Sequence, residues 1–324
     1  MKVLVTGGAG YIGSHVVLEL LDQGFDVSVL DDLSMGAREN VDERAEFFLG
    51  SILNPEDNAK ALEGVDAVIH MAAFKAAGES VENPEKYEKN NVGGTLTLLG
   101  SMLDHGIHRF VFSSSAAVYG DPQYLPVDEK HPVVPINPYG QTKLDIEGKL
   151  ENSYSDRGIR FASLRYFNAA GYDILGRVRI PEAAPNNLLP IVMEAANGTR
   201  ASLDVFGNDY ETRDGTGVRD YIHVTDLAKA HILAVERLEK SSSFTINLGS
   251  EKGYSVQEVL DTARTVTGMP ILANITGRRP GDPPKLVASS QKAKELLGWS
   301  TKHSDLESLI SSMWEIYKPA EATF

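Results

Sequence analysis

The apolar run Lys2-Val3-Leu4-Val5 leads directly into Thr6-Gly7-Gly8-Ala9-Gly10-Tyr11-Ile12-Gly13, an arrangement few folds accommodate. The run reads as a buried strand, and the glycines as a turn too tight for side chains. A helix follows, with apolar residues at Val16, Val17, Leu20 and Leu21, and Gly24 closes it. A second strand, Asp26 to Leu30, ends at Asp31. Strand, glycine turn, helix, strand and acid form the unit that binds a dinucleotide. One glycine permits the turn, one lets the backbone approach a pyrophosphate, and one lets the helix pack on the sheet. The helix N-terminus offers N–H groups and positive dipole to the phosphates. Asp31 can accept from ribose hydroxyls and repels a 2′-phosphate. Asp32 adds negative charge and no arginine follows before Arg38, so NAD is favoured over NADP.

Further strands are predicted at Ala67 to Met71, Arg109 to Ser113 and Arg160 to Arg165, separated by helical stretches near Pro84 to His105 and Pro138 to Arg157. This alternation implies an α/β fold, a doubly wound parallel sheet of Rossmann type. Ligands of such sheets bind beyond the carboxyl ends of the strands. That rule places Ala72-Ala73-Phe74-Lys75, Ser114-Ser115 and Tyr166-Phe167-Asn168 on one crevice with the glycine turn. From about residue 169 the pattern changes, with Pro181, Pro185, Asn186, Asn187 and Pro190 marking loops and short helices. Ser255-x-x-Glu258 is a capping box ahead of Val259 and Leu260. The expected organisation is a Rossmann domain over 1–168 and a smaller C-terminal lobe over 169–324, part of 215–250 packing back on the first.

The sequence limits the chemistry. A net charge of −14 argues against nucleic-acid and anionic-membrane partners. With no cysteine, disulfides, thiolate chemistry and cysteine metal sites are excluded. The eight histidines show no H-x-x-x-H or H-E-x-x-H spacing, so no catalytic metal is expected. A first strand beginning at residue 2 leaves no room for a signal peptide, and no apolar run approaches the roughly 18 residues of a membrane span. A cytoplasmic enzyme is expected.

Within that frame, Tyr139-Gly-Gln-Thr-Lys143 and the run Ser113-Ser114-Ser115 carry the reactive groups. Residues four apart share a helix face, so the phenol of Tyr139 and the ammonium of Lys143 can enter one cleft. An isolated tyrosine titrates near pH ~10, too high for a base at neutral pH, and a fixed positive charge lowers it. The pair reads as a proton-transfer device aimed at a hydroxyl.

Jointly these residues resemble the extended short-chain dehydrogenase/reductase superfamily, and within it the UDP-sugar 4-epimerases. The likeness spans nearly the whole chain. It runs through TGGAGYIGSH at Thr6 to His15, AAFKAAGES at Ala72 to Ser80, NNVGGT at Asn90 to Thr95, SSSAAVYG at Ser113 to Gly120 and NPYGQTK at Asn137 to Lys143. It continues with RYFNAAG at Arg165 to Gly171, NNLLP at Asn186 to Pro190, GTGVRDYIHVTDLA at Gly215 to Ala228 and RRPGDPPKL at Arg278 to Leu286. The resemblance implies interconversion of UDP-glucose and UDP-galactose at C4 through bound NAD and a 4-keto sugar, by a homodimer. It implies Tyr139 as base and then acid, Lys143 as its electrostatic partner and Ser115 as the aligning hydroxyl. Carried onto matching positions, NAD contacts would come from Gly7, Gly10, Tyr11, Ile12, Gly13, Asp31, Asp32, Ser34, Ile52, Lys75, Asn91, Tyr139, Lys143 and Phe167. The UDP-hexose side would use Ser115, Tyr139, Asn168, Asn187, Leu188, Phe206, Arg219, Arg279 and Asp282. Arginines suit a diphosphate, which they can bind bidentately.

Three positions depart from the family pattern. Ser51 stands where an acid usually meets the adenine amino group, and Ala117 stands where a threonine is common. Leu286 stands where some relatives carry a tyrosine that limits the sugar C2 pocket, which leaves a UDP-N-acetylglucosamine epimerase as an alternative. Related sugar dehydratases place acids just after the serine or threonine. Ala116 and Ala117 occupy those positions and cannot transfer protons. A uronic-acid epimerase or decarboxylase would want a further cation near C6, and none is identified. An NAD-binding regulator without activity would have no use for Ser115, Tyr139 and Lys143 together. A conventional dehydrogenase would need exchangeable NAD and would release NADH.

Overall fold

The computed structural model describes residues 1–182, 185–279 and 281–319; Pro280 of the RRPGDPPKL segment lies outside them. Seven parallel strands form the central sheet: β1 (Lys2–Thr6), β2 (Asp26–Asp31), β3 (Glu46–Leu49), β4 (Ala67–His70), β5 (Arg109–Ser115), β6 (Arg160–Tyr166) and β11 (Phe244–Leu248). Their spatial order is β11-β6-β5-β4-β1-β2-β3. The chain works outward from β1 in one direction and then in the other, so the sheet is doubly wound. The order reverses between β1 and β4, where such a sheet opens a crevice.

Helices cover both faces, because the inner strands bury both sets of side chains. In β5, Val111 faces one core while Phe110 and Phe112 face the other, the two-residue period of a strand. The first core holds α1 (Tyr11–Asp22) and α8 (Val224–Lys240), with Val16, Leu20, Leu227 and Leu238 buried. The second holds α2 (Pro55–Ala61), α5 (Gly94–Asp104) and α6 (Pro138–Lys149), through Leu62, Leu98, Met102 and Ile146. Between β4 and α5 run the short α3 (Ala77–Glu82) and α4 (Pro84–Tyr87).

The remaining strands are short. β7 (Asn168–Ala170) pairs with β10 (Tyr221–His223), and β8 (Leu203–Phe206) with β13 (Ala273–Thr276). β9 (Val218–Arg219) lies between β12 (Tyr254–Ser255) and β14 (Lys285–Leu286). A third core joins α7 (Leu188–Ala196), α9 (Val256–Thr267) and α11 (Leu306–Tyr317) through Val192, Met193, Leu260, Leu309 and Met313. α10 (Gln291–Leu297) packs beside β11. The capping box is formed: Ser255 accepts from Glu258 N at 3.1 Å, and the Glu258 carboxylate accepts from Ser255 N at 2.8 Å.

The structure differs from the sequence reading in three places. β3, α2 and β11 were not anticipated, and β11 brings the chain beyond residue 169 into the main sheet beside β6. The stretch Pro84 to His105 is not one helix. It contains a π-helical turn, Glu88–Gly93, between α4 and α5. That turn aims Asn91 inward, where its amide holds both the N–H and the C=O of Phe74, at 2.9 and 3.0 Å. A π-helical turn also follows α6, at Leu150–Tyr154. Among the described residues no helix is long and apolar enough to cross a membrane.

Four histidines are buried in a neutral form. Desolvation drives His15 and His231 down to about 4, and His70 and His223 to about 3. His70 bridges Thr6 and Thr95 at 2.7 and 2.8 Å, whereas His231 Nε2 has no partner. The unfolded chain takes up these protons below pH ~6.5 and the folded chain refuses them. Stability therefore falls as pH drops through that value, by ~2 kcal/mol per histidine at pH 5. His231→Leu is expected to remove one such contribution. Urea midpoints between pH 6.5 and 5 should fall less steeply than in the parent, and parallel curves would contradict this.

Candidate active site

β1, β4, β5 and β6 end on the same edge, and the residues just past them enclose a cavity of about 430 Å³. Its floor is the glycine turn, which exists because no side chain fits there. Gly7 has φ +71°, and a Cβ on it would sit 2.6 Å from the Ala72 nitrogen after β4. A Cβ on Gly13 would lie 2.1 Å from the Gly7 carbonyl oxygen. The first turn of α1 thus presses on the strand ends, and Gly10, its N-cap, leaves the helix N-terminus without a side-chain cap. A smaller pocket of about 90 Å³ shares Gly7 and Gly10 and is lined by Asp31, Asp32, Ser34, Ser51 and Ile52.

Asp31 is largely buried, and burial raises its pKa against two backbone hydrogen bonds. Those come from Leu33 N at 2.8 Å and Ala9 N at 2.9 Å, one to each carboxylate oxygen. Each oxygen keeps a lone pair for a further donor. Arg38 stacks over Phe47 and donates to the Val41 carbonyl at 3.1 Å. It does not line this pocket. The residues present fit an adenosine ribose with free hydroxyls and a diphosphate on the glycine turn.

The reactive groups lie across the cavity. Asn137 caps α6, accepting from Gly140 N at 2.9 Å, with Pro138 in the first turn. The Tyr139 N–H donates to Ser80 Oγ at 3.1 Å. This fixed start sets Tyr139 in the first helical turn and Lys143 one turn later. Both line the cavity with Ser115, from the end of β5. The Lys143 ammonium donates to the Ser113 carbonyl at 2.8 Å and lies 5.8 Å from the Tyr139 ring centre.

The expected electrostatics of this pair are corrected by the structure. Burial raises the Tyr139 phenol, with Ser115 opposing, rather than the lysine lowering it. Burial also pushes Lys143 down to about 7, with Glu147 opposing. Desolvation penalises both charged forms and is the largest cause of each shift.

The other expected residues divide. Tyr11, Ile12, Lys75, Phe167, Asn168 and Asn187 line the main cavity. Asn91 does not line either pocket and acts from behind, by holding Phe74. Leu188, Phe206, Arg219, Arg279 and Asp282 also lie outside the cavity lining. Arg219 is paired with Asp282, and Arg279 stacks over Phe206 at 4.2 Å. Asp282, expected on the UDP-hexose side, thus serves as counter-ion to an arginine suited to phosphate. Asn187 and Leu188 connect the two groups, since Asn187 borders the cavity and Leu188 begins α7. Asn187 makes no side-chain cap for that helix, so its amide is not spent on turn formation. Lys75 pairs with Glu182 at 2.5 Å, a cavity acid that the sequence reading missed. Only a proline-rich loop surrounds Glu182 in the sequence, so no pattern pointed to it.

A glycine turn, an acid after the second strand, a half-buried serine and tyrosine and a buried lysine at one strand edge define a nucleotide-dependent enzyme that moves a hydride and a proton together. The comparisons agree. The model of the NAD dependent epimerase/dehydratase family matches residues 3–249. UDP-glucose 4-epimerase of Halalkalibacterium halodurans is 48% identical over 321 residues, covering 98% of this chain and 96% of that protein. The structure of UDP-glucose 4-epimerase from Brucella ovis in complex with NAD superposes with a TM-score of 0.95 at 44% identity, covering 98% of each chain. That of the Bifidobacterium longum enzyme with NAD+ and UDP gives 0.91 at 38% identity, again covering 98% of each. The chain belongs to the NAD dependent epimerase/dehydratase family.

The glycine turn permits one direct test. Gly13→Ala drives a methyl into the Gly7 carbonyl, and neither backbone can yield without opening the turn. The variant is expected to lose co-purified dinucleotide, read by absorbance after denaturation, and to melt several degrees lower. Retention of nucleotide at the parent level would show that the turn tolerates a side chain.

Proposed function

We propose that the protein interconverts UDP-glucose and UDP-galactose by epimerisation at C4. The observation that carries this reading is the meeting of Ser115, Tyr139 and Lys143 with the glycine turn in one cavity. NAD would lie with its diphosphate on the turn at Gly7, Gly10, Tyr11, Ile12 and Gly13, and its adenosine ribose at Asp31, near Asp32, Ser34 and Ile52. Lys75 would reach the cofactor by leaving Glu182. Bound there, NAD supplies a hydride acceptor and donor, and a positive charge beside the phenol. Tyr139 removes the C4 hydroxyl proton, and returns it after the 4-keto sugar has presented its other face. Lys143 would hold the cofactor beside the phenol, the positive charge of bound NAD would favour the phenolate that burial disfavours, and Ser115 aligns the hydroxyl. Asn168, Asn187, Leu188, Phe206, Arg219, Arg279 and Asp282 would hold the UDP portion. In this reading residues 1–168 carry the cofactor and 169–324 the nucleotide sugar, with α8 and β11 returning to the sheet.

What surrounds Ser115 argues for simple epimerisation. Ala117 lines the cavity and Ala116 is buried, so neither supplies the extra acid or base that elimination requires. The cavity acids Glu79 and Glu182 are engaged by Lys86 and Lys75. Leu286 pairs with Arg219 in the β9–β14 ladder and packs on the cluster that contains Phe167 and Ala116. A leucine there supports acceptance of an N-acetylated sugar as a second substrate. The absence of cysteine and the acidic charge support a cytoplasmic enzyme.

The assay uses purified protein with UDP-galactose and no added cofactor, following UDP-glucose by chromatography, with UDP-N-acetylgalactosamine in parallel. UDP-glucose is expected to form without net NADH. Tyr139→Phe should keep its dinucleotide and lose ~10²–10⁴-fold in kcat. A requirement for added NAD, or accumulation of NADH, would point to a conventional dehydrogenase instead.

We also propose a homodimer through α4 and α6. An open groove of about 800 Å³ runs between them, lined by Pro84, Glu88, Ile136, Pro138 and Gln141, with Val81 exposed nearby. Sedimentation equilibrium should give twice the 35.2 kDa chain mass. Lys89→Glu with Gln141→Glu, placed in the groove, should shift it to the monomer, and a monomer in the parent would reject the interface.

A further inference from the structure

Behind the cavity, outside the residues assigned above, lies a buried carboxylate whose contacts all lead back to the site. Glu147 is on α6, one turn beyond Lys143, and is 3% exposed. Its Oε1 accepts from Ser114 Oγ at 2.5 Å. Arg165 donates to the same carboxylate through Nε at 3.0 and 3.2 Å and through Nη2 at 2.5 Å. Arg165 also donates from Nη1 to the Tyr119 hydroxyl at 3.1 Å, and that hydroxyl donates to Asn247 Oδ1 at 2.6 Å. Ser114 adjoins Ser115 at the end of β5, and Arg165 adjoins Tyr166 at the end of β6. One carboxylate therefore joins the helix of Tyr139 and Lys143 to the two strand ends that face them.

Lys143 needs such a neighbour. Its ammonium is 4% exposed and its hydrogen bond goes to a neutral carbonyl. An ammonium held this way carries a large desolvation cost unless an anion stands nearby. The groups around it are few. On its own helix are Tyr139 and Glu147, and β5 presents the Ser113 carbonyl and the Phe112 ring at 5.0 Å. β4 contributes His70, held neutral by burial, and β6 contributes the half-buried phenol of Tyr166, which also lines the cavity. Among these only Glu147 carries a carboxylate, and it is paired with the Arg165 guanidinium.

We propose that Glu147 is a positioning residue of this site: it fixes the Ser115 end of β5 through Ser114 and provides the counter-charge that keeps Lys143 protonated. The proposal rests on the epimerase reading for its consequence in turnover, but not for its effect on Lys143. A role confined to stability would need only the Arg165 pair and would leave the lysine unaffected. Burial pushes Lys143 down to about 7 and Glu147 pushes it up. Removing the anion lowers the pH at which Lys143 loses its proton, so activity that needs the ammonium fails sooner as pH rises.

The experiment uses intact protein labelled with ¹³Cε-lysine, the Lys143 resonance being assigned by its absence in Lys143→Met. In Glu147→Gln the titration midpoint of that resonance should fall by about one pH unit or more. The alkaline limb of kcat/KM for UDP-galactose should fall with it, while KM stays within about twofold. Glu147→Asp, which retains charge but not reach, should restore the midpoint. Ser114→Ala should leave the midpoint in place and lower kcat severalfold. If Glu147→Gln does not fold because Arg165 is left alone, Glu147→Gln with Arg165→Gln leaves no solitary buried charge, and its midpoint is read against Arg165→Gln so that the difference reports the carboxylate alone. An unmoved midpoint in a folded variant overturns the counter-charge, and an unchanged kcat in Ser114→Ala overturns the strand contact. If UDP-galactose is not turned over at all, the epimerase reading fails and the resonance still decides the role of Glu147.

Discussion

The structure depends on holding the Lys143 ammonium out of water at the carboxyl edge of a parallel sheet. In bulk solvent the group would cost nothing, but there it would not share a cavity with Tyr139. Once buried it needs a dipole and an anion, and both come from the fold. The dipole is the Ser113 carbonyl near the end of β5, and the anion is Glu147 one helical turn away. Glu147 in turn is tolerable inside because Arg165 and Ser114 satisfy it. A buried ion pair of this kind adds little net stability, since desolvation offsets most of the attraction, yet removing either partner is costly. Its value lies in fixing α6 against β5 and β6 in one register.

The same edge must also hold the second half of the chain, and there buried polar contacts do more than surface charge. Asn40, 6% exposed, accepts from Arg179 N and Ile180 N at 3.1 and 2.9 Å and donates to the Ile180 carbonyl at 2.9 Å. His15, inside α1, accepts from Asp173 N at 2.9 Å. These join the loop after β2 and the helix after the glycine turn to the segment that carries Glu182. The Arg177–Asp22 and Lys75–Glu182 pairs cross the same boundary but are partly exposed, and contacts of that sort contribute ~0–1 kcal/mol each. The boundary is set by the amide and the imidazole. The lysine pair is weak enough to be exchanged for a phosphate.

Much of this was legible in the sequence, and the parts that were not share a cause. The glycine turn, Asp31 and the Tyr139–Lys143 spacing are local: each requirement is met within a few residues, so the pattern survives in one dimension. The capping box at Ser255 was legible for the same reason. β11 was not, because five residues, Phe-Thr-Ile-Asn-Leu, gain strand character only by pairing with β6, about 80 residues earlier in the chain. The π-helical turn was hidden because Asn91 distorts its helix to reach Phe74, a contact no periodicity reports. The Tyr139 phenol was misjudged because spacing reveals a neighbouring charge but not the burial of both groups. Glu147 was visible as a residue and not as a function, since its three partners come from two strands and a helix.

A charge that comes and goes with the cofactor, rather than burial itself, would let one phenol take a proton and give it back. Burial raises Tyr139 and lowers Lys143, so their proton affinities move apart and the phenol of the empty site is neutral. A positive charge entering beside the phenol favours the phenolate, and its loss favours the phenol. A tyrosine raised in this way is no base near neutrality until that charge arrives, and it reverts to a phenol once the charge has gone. A phenolate stabilised at all times would hold its proton too weakly to take one from a sugar hydroxyl. The alanines after Ser115 complete the arrangement, because no other group at that position can redirect the proton toward elimination. Burial, which makes the lysine expensive to keep, also returns the tyrosine to its neutral form once the added charge has gone.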